Sequence, residues 1–404
     1  MGGLTTVIPE GMRDVLPTEA AELRAIEQIV LARFHAYGYG EVRPPALEYP
    51  ETMERTGVDL LSSGFHLYDE RGRALVLRTD LTTAVARLAA DRLRERPLPL
   101  RLSYEGPVYR TEASRHRREG EFVQLGAELL GLGSAAADAE TVVLLCDALA
   151  ATGLQGFRLA IGSVAFHREL VAALGLSPDD SDDVFDALAD RDYALLETIV
   201  SRRGIDDDGR RALERALDLS PGKGALAAAR KLASSPGMEE VVERLVAVQE
   251  LADDAGYGDL VGFDFGLLPE LDYYTGIVIE AYAPGVDFPV GHGGRYDRLL
   301  AAFEWPIPAV GFTIDLDRLH EALVDEGAGV AAVAPPALSY AGGLDDPKHV
   351  IELRRHGVAV AALPAEAATA QPRLREIGGE FVLETLSGTT RGSWRDVLRA
   401  LGAG

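Results

Sequence analysis

Between about Ala165 and Gly256 the sequence keeps helical periodicity, broken by acidic turns such as SPDDSDD and GIDDDG, while strand-like runs lie on both sides. Strand sets separated in this way are most simply one sheet into which a helical piece has been inserted. The first set is FHLYDERGRALVLRTD, a hairpin turning across Glu70 to Gly72, followed by LPLRLSYEGPVYR and EFVQLGAELLG; FRLAIGS precedes the insertion. The second set is GDLVGFDFG, DYYTGIVIEAYAP and PAVGFTIDL, closed by the helix LDRLHEALV. The expected class is α+β: a large antiparallel sheet with helices and a helical insertion.

Ahead of the strands, Leu23, Ile26, Val30, Phe34 and Tyr37 recur at helical spacing, with Thr18 as a candidate cap and Gly38 as a stop. Pro44 and Pro45 in YGYGEVRPPALEYPE cannot sit in a central ladder and place that run at an edge or an interface. EGAGVAAVAPPA reads as a linker. HVIELRRHGVAVAAL and PRLREIGGEFVLETL then read as helix-then-strand units of a small C-terminal α/β domain. The expected boundaries are 1–325 for the core with its insertion at about 165–256, 326–336 for the linker and 337–404 for the C-terminal domain.

A net charge of -24 argues against a general nucleic-acid binder, because phosphate contacts require a surplus of Lys and Arg. From Pro335 to Gly404, 8 basic residues meet 8 acidic ones, so this segment is neutral. The one cysteine, Cys146 in TVVLLCDALA, excludes disulfides and Cys-based zinc sites within the chain and reads as core. No run approaches a membrane span, and MGGLTTVIPEG lacks a basic stretch followed by an apolar one, so cytoplasm is the expected compartment.

Four runs carry the candidate chemistry. In LRTDLTT, Asp80 either caps the following helix or, with Thr82, holds the amino group of a ligand. In GPVYRTEASRHRREGEFVQLGAE, Arg110 and Glu112 are read two apart on a strand, and Gln124 and Glu128 share a strand face. Arg115 to Arg118 form either a phosphate-gripping loop or a solvated turn. Tyr273 and Tyr274, if in a strand, point to opposite faces, one to a pocket and one to the core. The glycines of GHGGRYD suit a tight turn or a close backbone approach.

Taken in order, IPEGMRDVLP, YGYGEVRPPALE, LRTDLTT, GPVYRTE...EFVQLGAE, LDYYTG, GGRYD and PAVGFTIDLDRL make the chain resemble the histidyl-tRNA synthetase family over about residues 8 to 320. The resemblance implies a class II aminoacyl-tRNA synthetase-like fold and a histidine pocket of Asp80, Thr82, Arg110, Gln124, Glu128, Tyr273 and Tyr274. Carboxylates accept from an α-amino group, an arginine clamps an α-carboxylate, and Glu or Tyr oxygens meet imidazole nitrogens.

The same comparison shows what is missing. Pro269 and Glu270 stand where synthetases have arginine and glycine, Asp315 where they have the glycine on which ATP lies, and Gly120 at a second loop arginine, although Arg118 is kept. Adenylate formation needs fixed cations against the α-phosphate, and loss of one such group costs on the order of 3 kcal/mol. A histidine site without this chemistry is similar to the regulatory subunits of ATP phosphoribosyltransferase. That resemblance implies no catalytic residues or metal of its own, L-histidine as effector and a short-form catalytic subunit as partner. It further implies a core-mediated homodimer within a hetero-octamer, with neither tRNA nor membrane as partner. The retained Arg110, Glu112 and Arg318 leave a divergent synthetase as the alternative, and a synthetase-like binding module of another pathway as a third.

Overall fold

The computed structural model describes residues 8–57, 61–111, 120–177, 180, 183–185, 187, 190, 192–217, 219, 221–222, 224–268, 273–327, 338–341, 347–363, 372–385 and 387–402. The chain forms two compact units, Met1–Val330 and Ala331–Gly404. The division falls inside the stretch read as a linker, most of which lies outside the described residues.

The first unit is organised by β5 (Leu100–Tyr109) and β6 (Glu121–Leu130), which pair antiparallel from Leu100↔Leu130 to Tyr109↔Glu121. They join β1 (Gly40–Glu41), β7 (Arg158–Ser163), β8 (Val261–Phe263), β9 (Ile277–Tyr282), β10 (Gly291–Arg295) and β11 (Ala309–Asp315). The sheet order is β1-β5-β6-β11-β10-β9-β7-β8. Its six inner strands are antiparallel, whereas the edge strands β1 and β8 add parallel pairs to β5 and β7.

Alternation gives the sheet two distinct faces. Leu125, Ala127 and Leu129 of β6 join Val310, Phe312 and Ile314 of β11 in the main core, with helices α1 (Pro17–Ala36) and α4 (Ala135–Ala151). Ile26, Val30 and Phe34 are wholly buried, and the Phe34 ring meets Phe312 edge-on at 5.6 Å. Burial of each such side chain stabilises by about 1.5–3 kcal/mol. The start of α1 differs from expectation: Leu16 holds the N-cap position with no side-chain bond, and Pro17, needing no amide partner, opens the helix. Cys146 is buried in this core.

The insertion follows β7. Helix α5 (Val164–Ala173) and the helices Tyr193–Arg203, Asp207–Leu217, Ala225–Leu232 and Pro236–Asp254 bury Leu196, Leu213, Met238, Val242 and Leu245 in the same continuous core. A three-stranded sheet of β2 (Leu47–Glu48), β3 (His66–Tyr68) and β4 (Ala74–Leu77) precedes helix α3 (Leu81–Arg92), with α2 (Pro50–Glu54) beside it. The β3–β4 hairpin closes through Asp69 N–H to Arg73 O at 3.0 Å, at the turn read from the sequence. Pro44 lies outside the ladders, and the buried Arg78 guanidinium holds its carbonyl at 2.8 Å and that of Pro107 at 2.7 Å.

The second unit is a five-stranded sheet ordered β13-β12-β14-β15-β16. These are Val360–Leu363, Leu338–Ala341, Arg373–Ile377, Glu380–Thr385 and Gly388–Gly392. Helices Pro347–Arg355 and Trp394–Ala400 supply Val350, Leu353 and Val397 to its core. HVIELRRHGVAVAAL is a helix followed by a strand, but PRLREIGGEFVLETL is a hairpin, not a helix and a strand. Gly378 and Gly379 both take positive φ, 62° and 85°, the backbone of a two-residue hairpin turn.

Candidate functional site: a buried carboxylate among tyrosines

The candidate residues converge where β4 hands over to α3. Asp80 is the N-cap of α3: it accepts Thr82 N–H at 3.2 Å and Thr83 N–H at 2.8 Å, so the capping reading holds. Capping also turns Thr82 inward, where its hydroxyl lies 3.3 Å from Tyr104 Oη. Tyr104 donates to Glu128 Oε1 at 2.9 Å, and Tyr296 donates to Oε2. Gln124, two strand repeats from Glu128 and on the same face, accepts Leu81 N–H at 3.3 Å through its amide oxygen.

Missing side chains make this room. A Cβ on Gly126 would sit 2.2 Å from the Tyr104 ring, and one on Gly311 would sit 1.7 Å from Glu128 Oε2. Tyr104 therefore lies across one glycine and Glu128 across another. Sequence reasoning did not single out Tyr104 or Tyr296. Tyr296 stood in the open within GGRYD, and Tyr104 faces Gly126 in the strand register, a pairing that only the β5–β6 alignment reveals.

Tyr273 and Tyr274 are both buried, with ring centroids 4.7 Å apart, and Tyr273 meets the Tyr296 ring edge-on at 5.7 Å. The expected split to opposite faces does not occur. The pair precedes β9, which starts at Ile277, so strand alternation does not apply and both rings enter one cluster. GHGGR is strand β10, not a turn. Its glycines serve close approach within the sheet, since a Cβ on Gly294 would meet the Tyr274 ring at 2.7 Å.

Arg110 lies just past the end of β5, not within a strand as the sequence suggested. Its Nε donates to Thr79 O at 3.1 Å and its guanidinium sits 5.4 Å from the Phe122 ring centroid. Glu112, the Arg115 to Arg118 loop, Pro269 and Glu270 lie outside the described residues. Asp315, which stands where synthetases have the glycine on which ATP lies, is the N-cap of the helix Leu316–Asp325. It accepts Arg318 N–H at 3.2 Å and lies 3.4 Å from the Arg318 guanidinium, which also donates to Pro289 O at 3.0 Å. The substitution thus adds a negative charge and engages the neighbouring arginine. Gly120 donates its N–H to Gly11 O at 2.7 Å, and a Cβ there would lie 3.2 Å from Arg110 O.

The electrostatics follow from burial. Desolvation is the main cause that pushes the Glu128 carboxyl up to about 8; its hydroxyl partners oppose this and the charge of Asp80 adds to it. Gln124 Nε2 is buried with no partner among the described residues, a donor suited to a carboxylate. The arrangement therefore offers a hydrogen-bonded acid within an aromatic wall, an amide donor, a hydroxyl and an arginine. An open groove of about 490 Å³ lies elsewhere, lined by Arg55, Arg87, Arg94 and Phe303, with no pocket residue in its wall. Among the described residues, no group of three His, Cys, Asp or Glu is placed to hold a metal, and no helix is long and apolar enough to cross a membrane.

A sequence-family profile described as histidyl-tRNA synthetase matches residues 11–319. An ATP phosphoribosyltransferase regulatory subunit of Moorella thermoacetica is 40% identical over 314 residues, 77% of this chain and 80% of the relative. That of Rubrobacter xylanophilus is 40% identical over 321 residues, 78% and 76% of the two chains. A Bacillus halodurans structure described as an ATP phosphoribosyltransferase regulatory subunit/histidyl-tRNA synthetase superposes with a TM-score of 0.79 at 30% identity, over 92% of this chain and 96% of that one. Histidyl-tRNA synthetase of Nostoc superposes at 0.78 over 99% of both chains at 18% identity, a likeness of fold. With a synthetase-like sheet and relatives at this identity over most of its length, the chain belongs to the family of ATP phosphoribosyltransferase regulatory subunits, within the histidyl-tRNA synthetase sequence family.

Proposed function

We propose that this chain acts as the non-catalytic regulatory subunit of ATP phosphoribosyltransferase and that its tyrosine pocket binds L-histidine as effector. The observation that supports the pocket is Glu128, fully buried yet bonded by two tyrosine hydroxyls, beside the unpartnered amide of Gln124. Glu128 accepts an imidazole N–H, Gln124 and Arg110 meet the α-carboxylate, Asp80 and Thr82 meet the ammonium, and Tyr273 and Tyr274 wall the ring. The engagement of Arg318 by Asp315 weighs against a working ATP site.

In this reading the partner is a short-form catalytic subunit in a cytoplasmic hetero-octamer built on a homodimer of synthetase-like cores, with no tRNA bound. Histidine regulates only if it binds two quaternary states unequally. The test is co-purification with the short catalytic subunit, followed by phosphoribosyl transfer assayed with and without histidine. Complex formation, activation and inhibition by histidine are expected. Histidine-dependent pyrophosphate exchange into ATP at a synthetase rate, or no complex, refutes the reading.

A further inference from the structure

Asp138, on α4, is wholly buried and shares its carboxylate between arginines from distant parts of the chain. One oxygen lies 2.6 Å from Arg295 of β10, the other 2.5 Å from Arg244 on the insertion helix Pro236–Asp254. Arg244 also donates to Gly133 O at 2.7 Å and Arg295 to Leu132 O at 3.2 Å, which fixes both guanidinium groups. A wholly buried acid shared by a buried arginine and a half-buried one is a poor device for stability, because desolvation offsets much of the attraction. Their position suggests another use.

Arg295 holds the tyrosine segment. Its carbonyl accepts Thr275 N–H at 2.7 Å, and its stem occupies the space where a Cβ on Gly276 would lie 2.9 Å from Arg295 Cδ. Its guanidinium bonds Asp297 at 2.9 Å, whose own amide returns to Thr275 Oγ1 at 3.0 Å. The first residue of α5 grips the same segment, through Val164 N–H to Gly276 O at 2.9 Å. The segment next to Tyr273 and Tyr274 is therefore tied to the insertion at two points.

We propose that the Arg244–Asp138–Arg295 triad couples the helical insertion to the tyrosine pocket, making Arg244 a positioning residue for histidine binding and the insertion the element that responds to occupancy. A ligand that shifts Thr275 shifts Arg295, and Asp138 cannot follow without loosening its contact with Arg244. The coupling is reciprocal, so releasing the insertion weakens the pocket. This inference rests on the histidine reading above.

Arg244 is the accessible end, with 29% of its side chain exposed. Arg244→Ala, and the milder Arg244→Gln, remove its charge without touching a pocket residue. Histidine binding to the full chain is measured by calorimetry, and hydrogen exchange is followed with and without histidine. In the wild type, histidine slows exchange over 273–297 and over 236–254. In both variants protection persists over 273–297, disappears over 236–254, and affinity falls at least about 5-fold. Arg244→Gln decides the question if Arg244→Ala does not fold. Wild-type spread in a folded variant, or wild-type protection confined to 273–297, overturns the coupling alone. A wild-type chain that binds no histidine overturns the pocket reading and this inference with it.

Discussion

Replacing Glu128 by glutamine preserves the volume of the pocket and removes a carboxyl whose charge state burial has moved toward neutrality. With its carboxyl pushed up to about 8, Glu128 is about one-tenth ionised at pH 7 and about three-quarters ionised at pH 8.5. An imidazole N–H forms its stronger, charge-assisted bond with the carboxylate form, and where that form dominates binding apparent affinity scales with its fraction. Wild-type affinity for histidine therefore rises about 8-fold across that interval. Glu128→Gln loses a hydrogen bond to a charged group, worth about 1.5–3 kcal/mol, and binds about 10- to 150-fold more weakly at pH 8.5, with this pH slope abolished. Calorimetry across the interval reads both effects. A flat wild-type profile, or an equal slope in the variant, refutes the assignment.

The same group sets a second observable. A raised folded pKa means that the contribution of Glu128 to ligand-free stability is fully present below its ordinary value of 4.5 and is lost as pH rises through about 8. Thermal melts of Glu128→Gln lack that decline.

Three further outcomes are expected. His167 is wholly buried, its Nε2 lies 2.6 Å from Phe265 O, and burial lowers its pKa. Its contribution to stability is present above about pH 6.5 and is lost as pH falls through the folded value, so His167→Phe flattens the acid limb of the melting profile; an unchanged limb counts against this. Gly126→Ala drives a methyl into the Tyr104 ring, costs about 1–3 kcal/mol by overpacking and weakens histidine binding; wild-type affinity with an unchanged melt excludes the steric account. Asp315→Gly removes a helix cap, lowers stability by only about a few tenths of a kcal/mol and yields no pyrophosphate exchange; exchange at a synthetase rate shows that this carboxylate alone blocked activation.

Local pattern carried much of the architecture. LRLSYEGPVY and EFVQLGAELL, read as strand-like runs, are strands that pair antiparallel over ten residues, and the apolar spacing of Ile26, Val30 and Phe34 gave the buried face of α1. It failed where one signal has two physical uses. Glycines signal turns, yet those of β10 allow strands and rings to approach, and a Cβ on Gly293 would meet Gly311 O at 2.3 Å. Arginine and glutamate in PRLREI suited a helix, but the adjacent Gly-Gly, which favours a tight hairpin, decided otherwise.

From residue order alone came a large antiparallel sheet and its helical insertion, because backbone preferences and apolar periodicity act over short stretches; the seven candidate pocket residues came from the motifs' resemblance to the histidyl-tRNA synthetase family. The chain fold alone decided that Glu128 would be enclosed by Tyr104, 24 residues away, and Tyr296, 168 away. It likewise joined Asp138 to Arg295 and Arg244. Burial raises the pKa of a carboxylate, and the same burial brings together partners that lie far apart in sequence. Neither effect exists until the strands have paired.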